Sequence, residues 1–434
     1  MRIVRCPLSV LPVQCADRQK TPMHRSITCL LVTAALLVGT PPAIGASGPD
    51  LAAMVDRAWA LARASDARDA RAAAIEARAL ATEALFPGAP EVSMELRRDL
   101  PRWSGLPGTT TTDARGFAEM SPGMSVPLWL PGQRDAQRQL HRRERVLLDT
   151  AGRALRLQIA GEVREAAWAL RIARADERVQ QARAAAGAAL RADVEHRVAA
   201  GTLAPVDALT AAAEHLAASA AARDARDAVA LASSRLLQLT GIADPGDITE
   251  APRDETRPDA HPALTAAHDA VDVARARRDE RQVARRDNPR LTAAARFERD
   301  TYDRDWRNTL RVGIALPLDT EARNAPRLSE ANAALVDAEL TLYRLLRSRQ
   351  SEIDRARIAL AGAQAAAQAH AERAETLRRA RAAIERAFAA GELGLPDVLR
   401  VRAQTLDAEL AHERAREQTG LAVARLNQAL GQEP

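Results

Sequence analysis

An internal duplication with a fixed offset constrains this chain more than any other feature. Ala199-Ala-Gly-Thr-Leu-Ala-Pro-Val-Asp-Ala-Leu209 aligns with Ala389-Ala-Gly-Glu-Leu-Gly-Leu-Pro-Asp-Val-Leu399, and six of the eleven positions agree at an offset of 190. The same offset carries Gly123 onto Gly313, Pro127-Leu128 onto Pro317-Leu318 and Glu162 onto Glu352. It also carries Arg235-Leu236 onto Arg425-Leu426, Gln238 onto Gln428 and Gly241 onto Gly431. Two alanine-rich helices compared by chance share scattered alanines; they do not keep Gly, Pro and Asp punctuation in register. A chain repeated in this way is read as two copies of one unit that pack on each other. The first copy is expected over 47–245 and the second over 261–434, with 246–260 as the linker.

Within each copy the hydrophobic period changes. Residues 133–199 and 323–390 hold few Gly or Pro and spread charge between Ala and Leu positions, as long helices do. At 1.5 Å per residue, about 65 residues make a rod on the order of 100 Å. Each rod ends at a Gly-x-Leu turn (Gly201, Gly391), and a second helix runs on to a stop at Gly241 or Gly431. Glycine just past the last turn is a common helix terminator. The expected products are helical hairpins over about 133–240 and 323–430. Composition agrees: 47% of residues are hydrophobic but only 3% aromatic. Alanine-rich faces let helices approach closely with charge held outside.

Ahead of each rod the period falls to two. In 118–128, Met120, Met124, Val126 and Leu128 share one face, opposite Glu119, Ser121 and Ser125. In 306–318, Trp306, Leu310, Val312, Ile314, Leu316 and Leu318 oppose Arg307, Thr309 and Arg311. Upstream, Val92, Met94 and Leu96 oppose Ser93, Glu95 and Arg97, and Leu291, Ala293, Ala295 and Phe297 oppose Thr292, Arg296 and Glu298. Such alternation marks a strand between an apolar medium and water. Strands are expected at about 91–100, 116–128, 290–300 and 306–318, paired through polar loops 99–117 and 299–305. Strands of roughly 10 to 12 residues can cross a membrane at a barrel's tilt. Trp103, Trp129, Tyr302 and Trp306 lie near strand ends or in adjoining loops, where membrane barrels carry interfacial aromatics. Two solvent-facing hairpins on a soluble helical protein are the competing reading.

Residues 1–46 read as a targeting segment. Met23-His24-Arg25 is a short basic start, Cys29 to Val38 an apolar run, and Pro41-Pro42 precedes a small-residue site ending at Ala46. That is the order of a secretory signal, with translation starting at Met1 or Met23. The apolar run is about ten residues, too short for a bilayer that needs ~20. Cys6, Cys15 and Cys29 all precede the expected cleavage point, so disulfide and thiolate chemistry are not expected beyond it. The net charge of +5 hides 62 basic and 57 acidic residues of interleaved sign, unlike the clustered patch of a nucleic-acid binder.

Four strands cannot close a barrel, and an open edge in lipid leaves N–H and C=O groups without partners. Three copies would supply twelve. At this point the chain resembles the TolC-like outer-membrane efflux family over about residues 50–431. The resemblance rests on the duplication and on the strand-to-helix segment Pro127-Leu128-Trp129-Leu130-Pro131-Gly132-Gln133-Arg134. It rests also on the turns Gly201-Thr202-Leu203 to Asp207 and Gly391-Glu392-Leu393 to Asp397, and on Leu-Thr-Gly at 239–241. It implies a mainly α fold with membrane β: a homotrimer with a twelve-stranded barrel in outer-membrane lipid and a twelve-helix periplasmic tunnel. It implies as partners a periplasmic adaptor protein and an inner-membrane pump, the resistance-nodulation-division class looking most similar. Cargo would be metal cations or drugs. Gly201, Leu203, Asp207, Gly391, Leu393 and Asp397 look like the adaptor-contacting tips, although glycine suits a turn and aspartate a helix cap regardless of contact. Glu195 and Glu385, equivalent at the 190 offset, would place six carboxylates near the entrance of a trimer as a pore constriction; solvated helix charges beside Arg191, Arg197 and Arg381 are the plainer account.

No enzyme is expected, and no cofactor. The eight histidines include no i, i+4 pair of the kind that holds a metal on a helix, and His261 and His268 are seven apart. G-x-S-x-G and phosphate-loop patterns are missing from the sequence. Within the family the alternative is an exit channel for type I secretion. Outside it the rivals are a periplasmic coiled-coil scaffold without a pore and, were residues 1–46 retained, a cytoplasmic filament-like protein.

Overall fold

The computed structural model describes residues 50–98, 117–246, 248–253, 260–300, 305–318 and 320–434. The expected targeting segment 1–46, most of the 99–117 loop with Trp103, Tyr302 and part of the expected 246–260 linker lie outside the described residues. Among the described residues, seven helices and four strands follow in the order α1 (Leu51–Leu61), α2 (Ala64–Glu83), β1 (Glu91–Arg98), β2 (Ala118–Pro127), α3 (Gln133–Ala199), α4 (Pro205–Thr240), α5 (Pro262–Val283), β3 (Arg290–Arg299), β4 (Arg307–Ala315), α6 (Glu321–Ala389) and α7 (Leu395–Ala429).

The long helices are two hairpins with the same internal packing. Val163 and Leu170 of α3 meet Leu236 of α4 in one apolar cluster, and Ile353 and Leu360 of α6 meet Leu426 of α7 in another. Each residue of the first trio maps onto the second at 190. The backbone contacts repeat as well. A Cβ at Gly187 would lie 3.5 Å from the His215 Cα, and the equivalent Leu377 carbonyl accepts the Thr405 hydroxyl at 3.2 Å. Both rods end alike: Gly201 and Gly391 adopt left-handed φ of 74° and 79°. The following amides, Thr202 and Glu392, each donate to the carbonyl five residues back at 2.9 Å. That 6→1 bond is a Schellman closure, which a Cβ disfavours.

Upstream of the strands the offset is 199. Pro90 maps onto Pro289, Ala64–Glu83 onto all but the ends of α5, and Arg78 onto Arg277. Those two arginines reach one acceptor, the buried Glu144 carboxylate of α3, at 3.5 and 3.2 Å. The offset falls to 190 across the strand loops because the loop of the first copy is the longer.

The strands form one antiparallel sheet in the order β1-β2-β3-β4. Its central pairing, β2 with β3, joins the two copies through Val126 opposite Leu291 and Met120 opposite Phe297. The register aligns the apolar positions of all four strands: Val92 faces Met124, Met124 faces Ala293, and Ala293 faces Val312. Laterally the helices form two rows, α2–α3–α5–α6 nearer the sheet and α4–α3–α7–α6 further from it.

Candidate functional site

The sheet has two unlike faces and two open edges. On the polar face carboxylates and guanidinium groups alternate: Glu119 with Arg296 at 2.8 Å, Arg296 with Glu298 at 3.0 Å, and Arg290 with Glu91 at 2.6 Å. On the other face Val92, Leu310 and Val312 are 81, 77 and 67% exposed. On the inner strands Met124 and Leu291 are 46 and 39% exposed and Val126 is buried at 5%, so the open apolar side chains are chiefly those of β1 and β4, still a patch beyond the isolated surface leucine. β1 and β4 each have one sheet neighbour, so their outer N–H and C=O groups meet no strand among the described residues.

A hydrogen-bonded joint couples sheet to rods. The Leu128 amide donates to the Pro289 carbonyl at 2.7 Å, and the Asn288 amide group reaches the Leu128 carbonyl at 2.8 Å and Gln133 Oε1 at 2.7 Å. Trp129 Nε1 donates to the Ala84 carbonyl at 3.3 Å, while Arg138 grips Glu83 with two bonds of 2.8 and 2.7 Å. The Arg138 guanidinium holds the Glu83 carboxyl below its ordinary range. Through these contacts the Pro127–Arg134 segment fixes the angle at which a strand becomes a rod.

At the far end the two turns differ in what they bury. Leu395 is packed in one cluster with Leu190, Val194 and Ala211, and Leu203, Phe388 and Leu399 lie against it. Arg197 stacks 4.9 Å from the Phe388 ring, tying one hairpin's end to the other's. Leu203 is thus half-buried against its own chain, whereas Leu393 is exposed. Asp207 Oδ2 accepts from the Ala204 amide at 3.1 Å, and Asp397 pairs with Arg400, so both aspartates cap or brace the helix they open. No atom lies within 4 Å of a Cβ placed on Gly201 or Gly391. Glu195 is bound by Arg191 at 2.7 Å, and Glu385 by Arg402 of α7 at 2.6 Å.

Sequence reasoning missed the buried ionic junction between the copies. Arg164, 2% exposed at the side chain, holds Glu250 at 2.9 Å and also reaches Gln428 Oε1 at 2.6 Å and the Gln432 carbonyl at 2.9 Å. Asn427 adds a bond of 3.2 Å to the same Glu250. Nearby, Arg171 binds Glu417 and the Ile248 carbonyl, both at 2.5 Å. No motif pointed there, because Glu250 sits in the charged, proline-containing stretch that reads as linker. Among the described residues, no group of three or more His, Cys, Asp or Glu is arranged to hold a metal. Also among them, no helix is long and apolar enough to cross a membrane, which says nothing of a barrel.

This architecture matches solved structures along nearly its full length. The outer membrane protein VceC of Vibrio cholerae aligns with a TM-score of 0.70 at 17% identity, over 88% of this chain and 96% of that one. The chain has the TolC-like channel fold. The CmeC outer membrane channel of Campylobacter jejuni gives a TM-score of 0.68 at 14% identity, covering 88% and 85% of the two chains. The open state of the MtrE outer membrane channel of Neisseria gonorrhoeae gives 0.69 at 16%, covering 89% and 90%. No protein-family model matches the sequence, and no curated protein matches it. The TolC-like fold therefore persists here at an identity where its framework is what remains: the duplicated hairpins, the four-stranded sheet and the joint between them.

Proposed function

We propose that three copies of this chain close a twelve-stranded barrel in the outer membrane above a periplasmic tunnel of helices, and that the pore conducts exported solutes. The observation carrying this reading is the sheet. Its apolar face is open on the outer strands, its polar face carries an ion-pair ladder suited to a water-filled lumen, and each outer strand has a neighbour on one side only. In hydrocarbon an unpaired strand edge is untenable, so a four-stranded segment of this kind reaches closure by repetition. The proteins of like fold are described as outer membrane channels, which supports the same assignment. The protein is then a duct that catalyses nothing.

In this reading the ends of the hairpins, around Gly201, Leu203, Asp207, Gly391, Leu393 and Asp397, meet a periplasmic adaptor. The adaptor joins the duct to an inner-membrane pump of the resistance-nodulation-division class, with metal cations or drugs as cargo. Glu195 and Glu385 would flank the entrance, where Arg191 and Arg402 already offset them. Reversing both carboxylates and recording single-channel cation selectivity tests the constriction, and unchanged selectivity removes it. For the channel itself the test is fractionation followed by gel analysis. A duct partitions with the outer membrane, needs detergent, and migrates as a trimer until heated. A water-soluble monomer would overturn the assignment.

A further inference from the structure

On the apolar face of the sheet, charge is confined to one row and one sign. Among the described strand residues the acids, Glu91, Glu95, Glu119 and Glu298, all lie on the polar face. The apolar face, from Val92 on β1 to Ile314 on β4, carries only Arg98 and Arg299. Register brings these two into one row: Arg98 faces Ala118, and Ala118 faces Arg299. Arg299 in turn stacks 5.2 Å from the Trp306 ring. We infer that this row, Arg98–Ala118–Arg299–Trp306, binds the phosphate groups of a glycolipid in the outer leaflet of the membrane. The inference rests on the barrel reading above and adds to it a lipid partner, the chemistry that is recognised and the residues that recognise it.

The place of the row selects the leaflet. One end of the sheet leads through the Leu128–Pro289 joint into the rods, which the barrel reading sets in the periplasm. Arg98 and Arg299 close their strands at the other end. From Ala118 to Leu128 the strand runs about 34 Å, or about 25 Å in height at a barrel's tilt, which is the height of a barrel's apolar band. With Leu128 at the inner boundary of the hydrocarbon, the arginine row stands among the outer headgroups. Trp306 beside the row and Trp129 just past Leu128 mark the two levels, as girdle aromatics do. The two ends differ in their counter-charge. Arg134 lies 6.0 Å from the Trp129 ring, and there Glu83 supplies a carboxylate at 3.5 Å. On the outer row no acid shares the face among the described strand residues.

The chemistry points to phosphate on a sugar. A guanidinium presents a planar fork that matches phosphate oxygens, and it is less strongly hydrated than an ammonium. Arg98 and Arg299 are two strand spacings apart, about 10 Å, with only the Ala118 methyl between them, so two long side chains can converge on one headgroup. A phosphate monoester brings close to two negative charges and three acceptor oxygens. The phosphodiester of a zwitterionic phospholipid brings one charge and its own ammonium, and suits the row less well.

The test uses the full chain, extracted in detergent as a trimer and stripped of native lipid. It is titrated with a bisphosphorylated glucosamine-disaccharide lipid, with the dephosphorylated form of that lipid and with phosphatidylglycerol, and bound lipid is counted by native mass spectrometry. The phosphorylated glycolipid should bind, and the other two at least about tenfold more weakly, as expected for lost charge-assisted contacts. Arg98→Gln with Arg299→Gln should bring the phosphorylated form down to the level of the dephosphorylated one. Arg97→Gln, one residue away but on the polar face, should bind as the unaltered protein does. Equal binding of the two glycolipids overturns the inference, since the apolar belt alone then captures lipid; this comparison decides even where the double variant fails to assemble. Equal binding of phosphatidylglycerol, or displacement of the glycolipid by inorganic phosphate, overturns it as well, by showing a general anionic interface or a free-anion site. Each of these results leaves the trimeric channel standing, whereas a soluble monomer overturns the channel reading itself.

Discussion

Val163, Leu170 and Leu236 on the rods are fully buried, while Val92, Leu310 and Val312 on the sheet, of the same chemistry, stand open. The rods turn apolar side chains towards each other and charge towards water. The sheet does the reverse on one face, stacking its ion pairs opposite a bare aliphatic surface. The difference lies in the medium that each region is made for. A helix hairpin can satisfy its backbone and much of its apolar stripe within one chain; a four-stranded segment can satisfy neither its edges nor its outer face. One chain therefore completes most of the body and, in the trimeric reading proposed above, only a third of the barrel.

The sharpest test of the body is its buried ion pair. Arg164→Met strands Glu250 in a site closed to water, and removing one member of a buried pair typically costs about 3–5 kcal/mol. Urea unfolding of the helical signal in detergent should show that loss, and adding Glu250→Leu should recover most of it. On the sheet, polarity should act by face. Val312→Arg places a charge on the apolar side, where a midplane arginine in a barrel costs ~2–4 kcal/mol, and heat-resistant trimer should fall. Thr309→Arg, three residues earlier on the polar face, should assemble normally. Equal behaviour of the two variants would erase the distinction between the faces.

Acid should act on the body through His261. Its Nδ1 accepts from the Ala263 amide at 3.1 Å, capping α5, and burial with the nearby Arg349 pushes its pKa from 6.5 to about 4. The folded imidazole thus binds its proton later than the unfolded one. Its contribution is whole above pH 6.5 and is lost as pH falls towards 4, by at most about 3 kcal/mol. Stability measured across that window should decline, and His261→Asn, which keeps a cap, should flatten the decline. The smallest effect is expected at the turns. Gly201→Ala or Gly391→Ala meets no steric neighbour, so only the left-handed backbone opposes it, at ~1 kcal/mol each. Export activity falling much further than stability would mark these turns as contact surfaces as well as helix ends.

Much of this was legible in the residues. Period-two alternation located the four strands, and sparse Gly and Pro located the rods, because both signals are local and repeat along the chain. The short helices α1, α2 and α5 were not anticipated: their alanine-rich stretches carry little punctuation, and the 190 offset that exposed the duplication fails upstream of the unequal loops. Of the proposed tip residues, Gly201 and Gly391 announce their turns through a backbone requirement that only glycine meets easily. Leu203 gives no sign that it will pack inward beside Leu395 while its counterpart Leu393 stays exposed. The Arg164–Glu250 junction left no trace, since an arginine in a rod and a glutamate in a linker are each ordinary until folding brings them together.

Residue order along the chain decided the duplication, the kinds of element and the polarity of each face, because periodicity and turn chemistry act over a few neighbouring residues. Only the tertiary structure decided that β2 pairs with β3 across the two copies, that α7 lies against α3, and that α4 and α6 are left at the ends of their row. Those choices depend on contacts such as the Trp168 ring over Gly420, between residues some 250 positions apart, where no local pattern reaches.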